Sequence, residues 1–126
     1  MLIKKNVHVV AMGEADSCGA FIVTTGPAGN RWMSPNGYML VHEIRSGMYG
    51  PAANLQKISE HTQIMQTELF KMVVKNSLLT IEGLKRRIKE HDGEWLIQPQ
   101  EALNLKLVDR IGIPKIKTST IWELEE

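Results

Sequence analysis

The order of apolar and polar positions assigns most of this chain to elements before any chemistry is considered. Val7 to Met12 is a short apolar run bounded by Asn6 and Gly13, the pattern of a strand buried on both faces. From Ser17, the segment Cys-Gly-Ala-Phe-Ile-Val-Thr-Thr runs to Gly26-Pro27. It predicts an apolar helix of about two turns, stopped by glycine and proline. Ser17 therefore stands where a strand turns into a helix. Arg31 to Ser34 and Tyr38 to Val41 read as two short strands around Pro35-Asn36-Gly37, in which proline fixes φ and Asn-Gly tolerates positive φ. His42 closes the second strand, and Gly47, Gly50 and Pro51 then mark a loop.

Leu55, Ile58, Thr62, Met65, Leu69 and Met72 recur at alternating steps of three and four, which places them on one face of a helix from about Ala53 to Lys75. That stripe alone reads as core. Ile64, Phe70, Val73 and Val74 widen the apolar surface, so the helix is expected to meet a second partner as well as its own core. Thr80 caps a second helix with Ile81, Leu84 and Ile88 as its apolar face and Gly93 as its stop. Lys85, Arg86, Arg87 and Lys89 read as its solvated face, favourable towards a helix C-terminus. Pro99 suits the first turn of a short helix through Leu105. Leu107, Val108, Ile111 and Ile113 follow as a closing strand or apolar tail, and Ser119 to Glu126 as a surface end with Trp122 as a clamp.

Composition narrows the class. At 126 residues the chain is expected to form a single domain over 1–126, with about 116–126 as a surface tail. Apolar residues make up 43% and charged residues 23%, as in an ordinary soluble globular protein. Fifteen basic and fourteen acidic side chains leave a formal charge of +1, too little to attract nucleic acid or an anionic membrane surface. Cys18 is the only cysteine, so no internal disulfide forms and a reducing, cytoplasmic setting fits. Lys4 and Lys5 precede an apolar run that breaks by Glu14, short of a signal peptide or membrane span. His8, His61 and His91 lack ligand spacing, so neither a metal nor a cofactor is expected.

Serine hydrolysis needs a hydroxyl, a histidine to take its proton, an acid to orient the histidine, and donors for the oxyanion. Ala15, Gly19 and Ala20 let backbone and substrate approach Ser17, and the helix starting there aims N–H groups at developing negative charge. A serine at a helix start also serves as an N-cap, and a histidine closing a strand also serves as a plain hydrogen-bonding residue. The order of motifs decides between these readings. Gly13-x-Ala15-x-Ser17-x-Gly19-Ala20 is followed by Gly29-Asn30-Arg31, Pro35-Asn36, Val41-His42, a Gly47-to-Ala53 loop and a long helix, and finally by Glu101-Ala102 and Leu107-Val108-Asp109. This series resembles the proteolytic subunit of the ATP-dependent Clp protease, the ClpP family, over about Val7 to Ile113.

The resemblance implies an α/β, crotonase-like fold of repeated β-β-α units, a Ser-His-acid triad, and seven-membered rings of copies stacked face to face. It makes the Ala53–Lys75 helix the handle that joins two rings. Ser17 falls on the nucleophile and His42 on the general base, and the backbone N–H of Cys18 falls on an oxyanion donor. Matching back from Glu101-Ala102 without gaps puts Glu94 at the acid, while Asp92 carries the family's aspartate side chain two residues away; both stay open. The implied substrate is peptide or unfolded polypeptide, and the implied partners are further copies, full-length Clp subunits or an AAA+ unfoldase.

Three substitutions and one omission depart from the family pattern. The nucleophile strand begins at Val7, so the chain is expected to lack the family's N-terminal half and, with it, a Gly-Gly oxyanion donor worth about 3 kcal/mol in the transition state. Asp16 replaces a small residue and is expected to raise the negative potential beside an oxyanion. Cys18 replaces a methionine and reads as a small buried thiol, with a thiol nucleophile as the alternative, and Lys106 replaces a glycine before Leu107, which is expected to alter that turn. Two functions follow: a serine endopeptidase subunit, or a non-catalytic truncated relative that joins or modulates complete rings. An acyl-thioester enzyme of the crotonase fold fits the Ser17 and His42 positions less well.

Overall fold

Gly13 ends the first strand, as the apolar pattern predicts, and a second strand follows it directly. The computed structural model describes residues 6–45, 47 and 49–125; Lys4, Lys5 and, within the expected loop, Met48 lie outside them. Strand β1 (Val9–Ala11) ends before Gly13, whose φ of 81° turns the chain into β2 (Glu14–Asp16). An L side chain rarely adopts that conformation. After helix α1 (Cys18–Thr24) the same move repeats, with β3 (Arg31–Met33) followed by a turn and then β4 (Tyr38–His42). The two turns nest: Gly13 N–H donates to Ser34 Oγ at 3.1 Å, and Tyr38 N–H donates to the Gly13 carbonyl at 2.8 Å. Gly37 must be glycine here, since a Cβ would lie 2.9 Å from the Gly13 carbonyl oxygen.

Each β-turn-β passage carries the chain from one three-stranded sheet to another. In the first sheet β1 runs parallel to β3, with Val9 opposite Arg31 and Ala11 opposite Met33; β3 pairs in parallel with β6 (Arg110–Ile111). In the second, β2 runs parallel to β4, with Asp16 opposite Leu40, and β4 pairs antiparallel with β5 (Glu94–Ile97). The sheet orders are β1-β3-β6 and β2-β4-β5. The result is a mixed α/β architecture, compatible with the ClpP fold. Strands β2 and β5 are additions to the sequence reading, and the closing strand is confined to Arg110–Ile111.

Alternation decides which face of the second sheet is core. Ala15, Met39, Val41, Trp95 and Ile97 are buried on one side, while Glu14, Asp16, Tyr38, Leu40, His42, Glu94 and Leu96 share the other. The buried side meets α3 (Ile81–Glu90) through Leu84 and Ile88, with Phe70, Ala102, Leu107 and Val108 completing the core. Thr80 caps α3 as its sequence requires, Oγ1 accepting the Gly83 N–H at 3.0 Å. Pro99 opens α4 (Pro99–Asn104).

Helix α2 (Ala52–Lys75) departs from the expectation of a core stripe. It is about 36 Å long at 1.5 Å per residue, yet only Phe70 and Val73 are buried. Ile58, Met65 and Met72 of the periodic stripe are exposed, as is Ile64 at 62%. The periodicity is helical, but the body of the protein covers only the last turns. Trp122 is 91% exposed and clamps nothing. Among the described residues, no helix is long and apolar enough to cross a membrane.

Candidate active site

The peptide at Ser17 is fixed from both sides. Its N–H donates to the Leu40 carbonyl at 2.9 Å, extending the β2–β4 ladder by one residue, and its carbonyl accepts the Phe21 N–H at 3.1 Å, opening α1. Satisfying both forces φ to 51°, a left-handed value that costs a non-glycine residue on the order of 1–3 kcal/mol. The turn lifts Ser17 out of the sheet, and its hydroxyl makes no capping bond. Cys18, expected as a buried thiol, is instead exposed, because it is the first residue of α1 at the turn that leaves the sheet. Its amide precedes the first intrahelical bond, so it has no partner within the helix.

His42 ends β4, the strand beside β2, and stands half-buried two residues beyond the Leu40 that faces Asp16. Its Nδ1 is hydrogen-bonded to the Glu43 carbonyl oxygen. A carbonyl can only accept, so Nδ1 carries a proton, and it is the tautomer with its lone pair at Nε2 that this contact selects. Among the described residues, no hydrogen bond joins Ser17 Oγ to this ring.

Of the two candidate acids, the backbone brings one to His42. Glu94 opens β5 directly opposite His42 in the antiparallel ladder, a position that brings Cβ atoms within roughly 5 Å. Its carboxylate is held instead by Arg45, at 2.7 Å and in the open. Asp92 lies outside the ladder, in a left-handed turn with φ of 55°, beside a cavity it lines with Lys85 and Lys89. Neither carboxylate bonds to the His42 ring.

Residues 1–115 match the family described as Clp protease. The chain belongs to the Clp protease family. It is a ClpP-like member of a family in which oligomeric assembly and peptide substrates are general.

In this member of the Clp protease family two motifs far apart in sequence are one structural unit. Arg31, 1% exposed, meets Asp109 through Nε–Oδ2 and Nη2–Oδ1 bonds of 2.9 Å each. Asp109 Oδ2 also accepts the N–H groups of Gly29 at 2.8 Å and Arg31 at 3.0 Å. The remaining guanidinium donors reach the carbonyls of Thr24, Asn76 and Lys106. Hydrogen bonding from the Arg31 side chain is the main reason the Asp109 carboxyl titrates below its ordinary range. Sequence reading gave Arg31 and Asp109 no role, although both lie inside the motifs that carry the resemblance. Lys106 takes a left-handed φ of 53°, so the turn keeps a glycine-like conformation without glycine.

Asp16 also behaves otherwise than expected. It shares a face with Glu14, and hydrogen bonding to Glu14 is the first cause that holds the Asp16 carboxyl protonated above its usual range, followed by burial and the Glu14 charge; His42 acts in the opposite sense. Glu14 shifts down because it accepts from Asp16 and from Tyr38, whose hydroxyl is correspondingly harder to ionise. Asp16 Oδ1 is shielded and has no hydrogen-bond partner. The carboxyl expected as a charge beside Ser17 is thus shifted towards its neutral form by its neighbour Glu14. The spacing Glu-Ala-Asp would reveal it once that segment is known to be a strand.

Proposed function

We propose that this chain is a serine endopeptidase subunit that cleaves unfolded polypeptide by acyl transfer. The observation that carries the proposal is the strained, doubly anchored turn at Ser17 beside a histidine whose free lone pair is at Nε2. In this reading Ser17 Oγ attacks the peptide carbonyl carbon while His42 Nε2 takes its proton. The Cys18 N–H donates to the oxyanion, and His42 returns the proton to the leaving amine. Water then hydrolyses the acyl ester by the same route. Glu94 is the acid, favoured by its position across from His42, with Asp92 the alternative if the turn rearranges.

Residues 1–126 act as one domain with a surface tail from about 116, in a crotonase-like arrangement of β-β-α units; the repeated β1-β2-α1 and β3-β4-α2 order supports this. The exposed α2 is the handle that joins seven-membered rings. The partners are further copies, full-length Clp subunits and an AAA+ unfoldase, in the cytoplasm. Labelling with a fluorophosphonate probe tests the chemistry. Ser17 is expected to be modified, Ser17→Ala to block labelling and His42→Ala to slow it by at least about a hundredfold. No labelling beside a complete Clp particle that labels would remove the catalytic proposal.

A second reading is supported by the bare apolar half of α2 and the missing Ser17–His42 hydrogen bond: a non-catalytic subunit that joins or modulates complete rings. Native mass spectrometry with full-length subunits separates the two. Mixed particles without probe labelling favour the second reading, and the lack of any mixed particle ends it.

A further inference from the structure

The peptide unit that contacts His42 is itself held by a side chain from α2. The Glu43 carbonyl oxygen accepts from His42 Nδ1. The N–H of that same peptide belongs to Ile44 and donates to Gln66 Oε1 at 2.8 Å. No peptide bond among the described residues is cis, so the two groups point in opposite directions from one rigid plane. Fixing the N–H therefore fixes the carbonyl. Donation from the N–H also makes the carbonyl oxygen a better acceptor, because hydrogen bonds in series polarise one another. The carboxylate directly opposite His42 in the ladder, Glu94, is occupied by Arg45. The orienting contact on His42 is therefore backbone, and Gln66 is what braces it.

We propose that Gln66 is a positioning residue that, through the Glu43–Ile44 peptide, holds the His42 ring in the tautomer with its lone pair at Nε2. The proposal rests on the reading of Ser17 and His42 as the catalytic pair. Among the described residues, no hydrogen bond joins Gln66 to Ser17 or to the His42 ring; its side-chain oxygen is on the Ile44 N–H. Its side chain is partly buried against the segment that leaves β4, so a residue of similar volume without an acceptor keeps the packing and removes the bond. Gln66→Leu is that variant, and Gln66→Glu keeps an acceptor oxygen for the Ile44 N–H.

Two measurements test the proposal. In peptide hydrolysis by the assembled protein, Gln66→Leu is expected to lower kcat about 10- to 100-fold with KM changed less than about twofold, since a displaced base weakens the transition state more than substrate binding. Gln66→Glu should recover most of that loss. In nitrogen NMR of the labelled histidine ring, the parent should show the Nδ1–H tautomer and Gln66→Leu a mixture of the two. A parent-like ring spectrum in Gln66→Leu overturns the proposal. So does kcat that falls equally in the leucine and glutamate variants. If the parent neither hydrolyses peptide nor labels at Ser17, the catalytic reading fails on its own. The ring spectrum still decides whether Gln66 holds His42.

Discussion

Replacing Asp109 by alanine should expose how much of the fold depends on one ion pair. The substitution removes acceptors for Arg31 Nε and Nη2 and for the N–H groups of Gly29 and Arg31. It leaves a guanidinium that is 1% exposed with only the carbonyls of Thr24, Asn76 and Lys106 around it. Removing one member of a buried pair costs about 3–5 kcal/mol, because the other charge stays desolvated. Against a total stability on the order of 5–15 kcal/mol, that is a large share. At about 3–4 °C per kcal/mol for a chain of this size, the melting temperature should fall by roughly 10–20 °C.

Circular dichroism on heating, at about pH 7, reads the effect directly, and a pH series reads its origin. The folded-state shift of Asp109 is downward. Its stabilisation is therefore complete above the unfolded carboxyl value of about 4 and disappears as pH falls through the lower folded value. Asp109→Ala should lack that acid-side loss. Arg31→Met combined with Asp109→Ala should recover part of the stability, since no charge is then left buried. A single variant that melts within about 2 °C of the parent, or that keeps the parent's acid-side loss, would refute the assignment of this pair as the main tie between the two motifs.

Two further outcomes are expected. Asp16 has a raised folded-state titration, so stability should decline as pH rises from the unfolded carboxyl value through the raised one. Asp16→Asn, which removes the titrating carboxyl, should flatten that decline in urea titrations across the carboxylate range, and an unchanged slope would refute the assignment to Asp16. Thr80→Ala should cost about 1 kcal/mol by leaving the Gly83 N–H without its cap, with Thr80→Ser restoring most of it; equal midpoints for all three proteins would contradict the capping role.

What could be read from the sequence was whatever local physics dictates. The cap at Thr80, the proline opening α4 and the stop at Gly93 depend on neighbours within a turn, and each lies where its residue type requires. Strand β2 was illegible for the opposite reason. Glu14 and Asp16 have poor strand propensity and only Ala15 is buried, so the segment is a strand because β4 pairs with it. Strand β5 is four residues long and packs on one face. Its alternation is visible only after its partner is known. For α2, periodicity gave the helix but not its environment, because an apolar stripe has the same spacing whether the body of the protein or another molecule covers it.

The candidate acid shows where sequence spacing stops being informative. Asp92 and Glu94 differ by two residues, yet the left-handed pair at Asp92 and Gly93 ends α3 and starts the ladder at Glu94. Only the later residue faces His42 across strands. Its present partner does little to keep it away, since an exposed ion pair such as Arg45–Glu94 is worth about 0–1 kcal/mol. The backbone parts of the site are costlier to move: the Ser17 turn is set by two ladder and helix bonds, and the Glu43–Ile44 peptide is bonded at both ends. A site built this way keeps Ser17 and the His42 tautomer in place while the carboxylate changes partner. In the proposed triad Glu94 would have to leave Arg45 and take over or share the Nδ1 proton now donated to the Glu43 carbonyl, since the neutral ring has a single N–H.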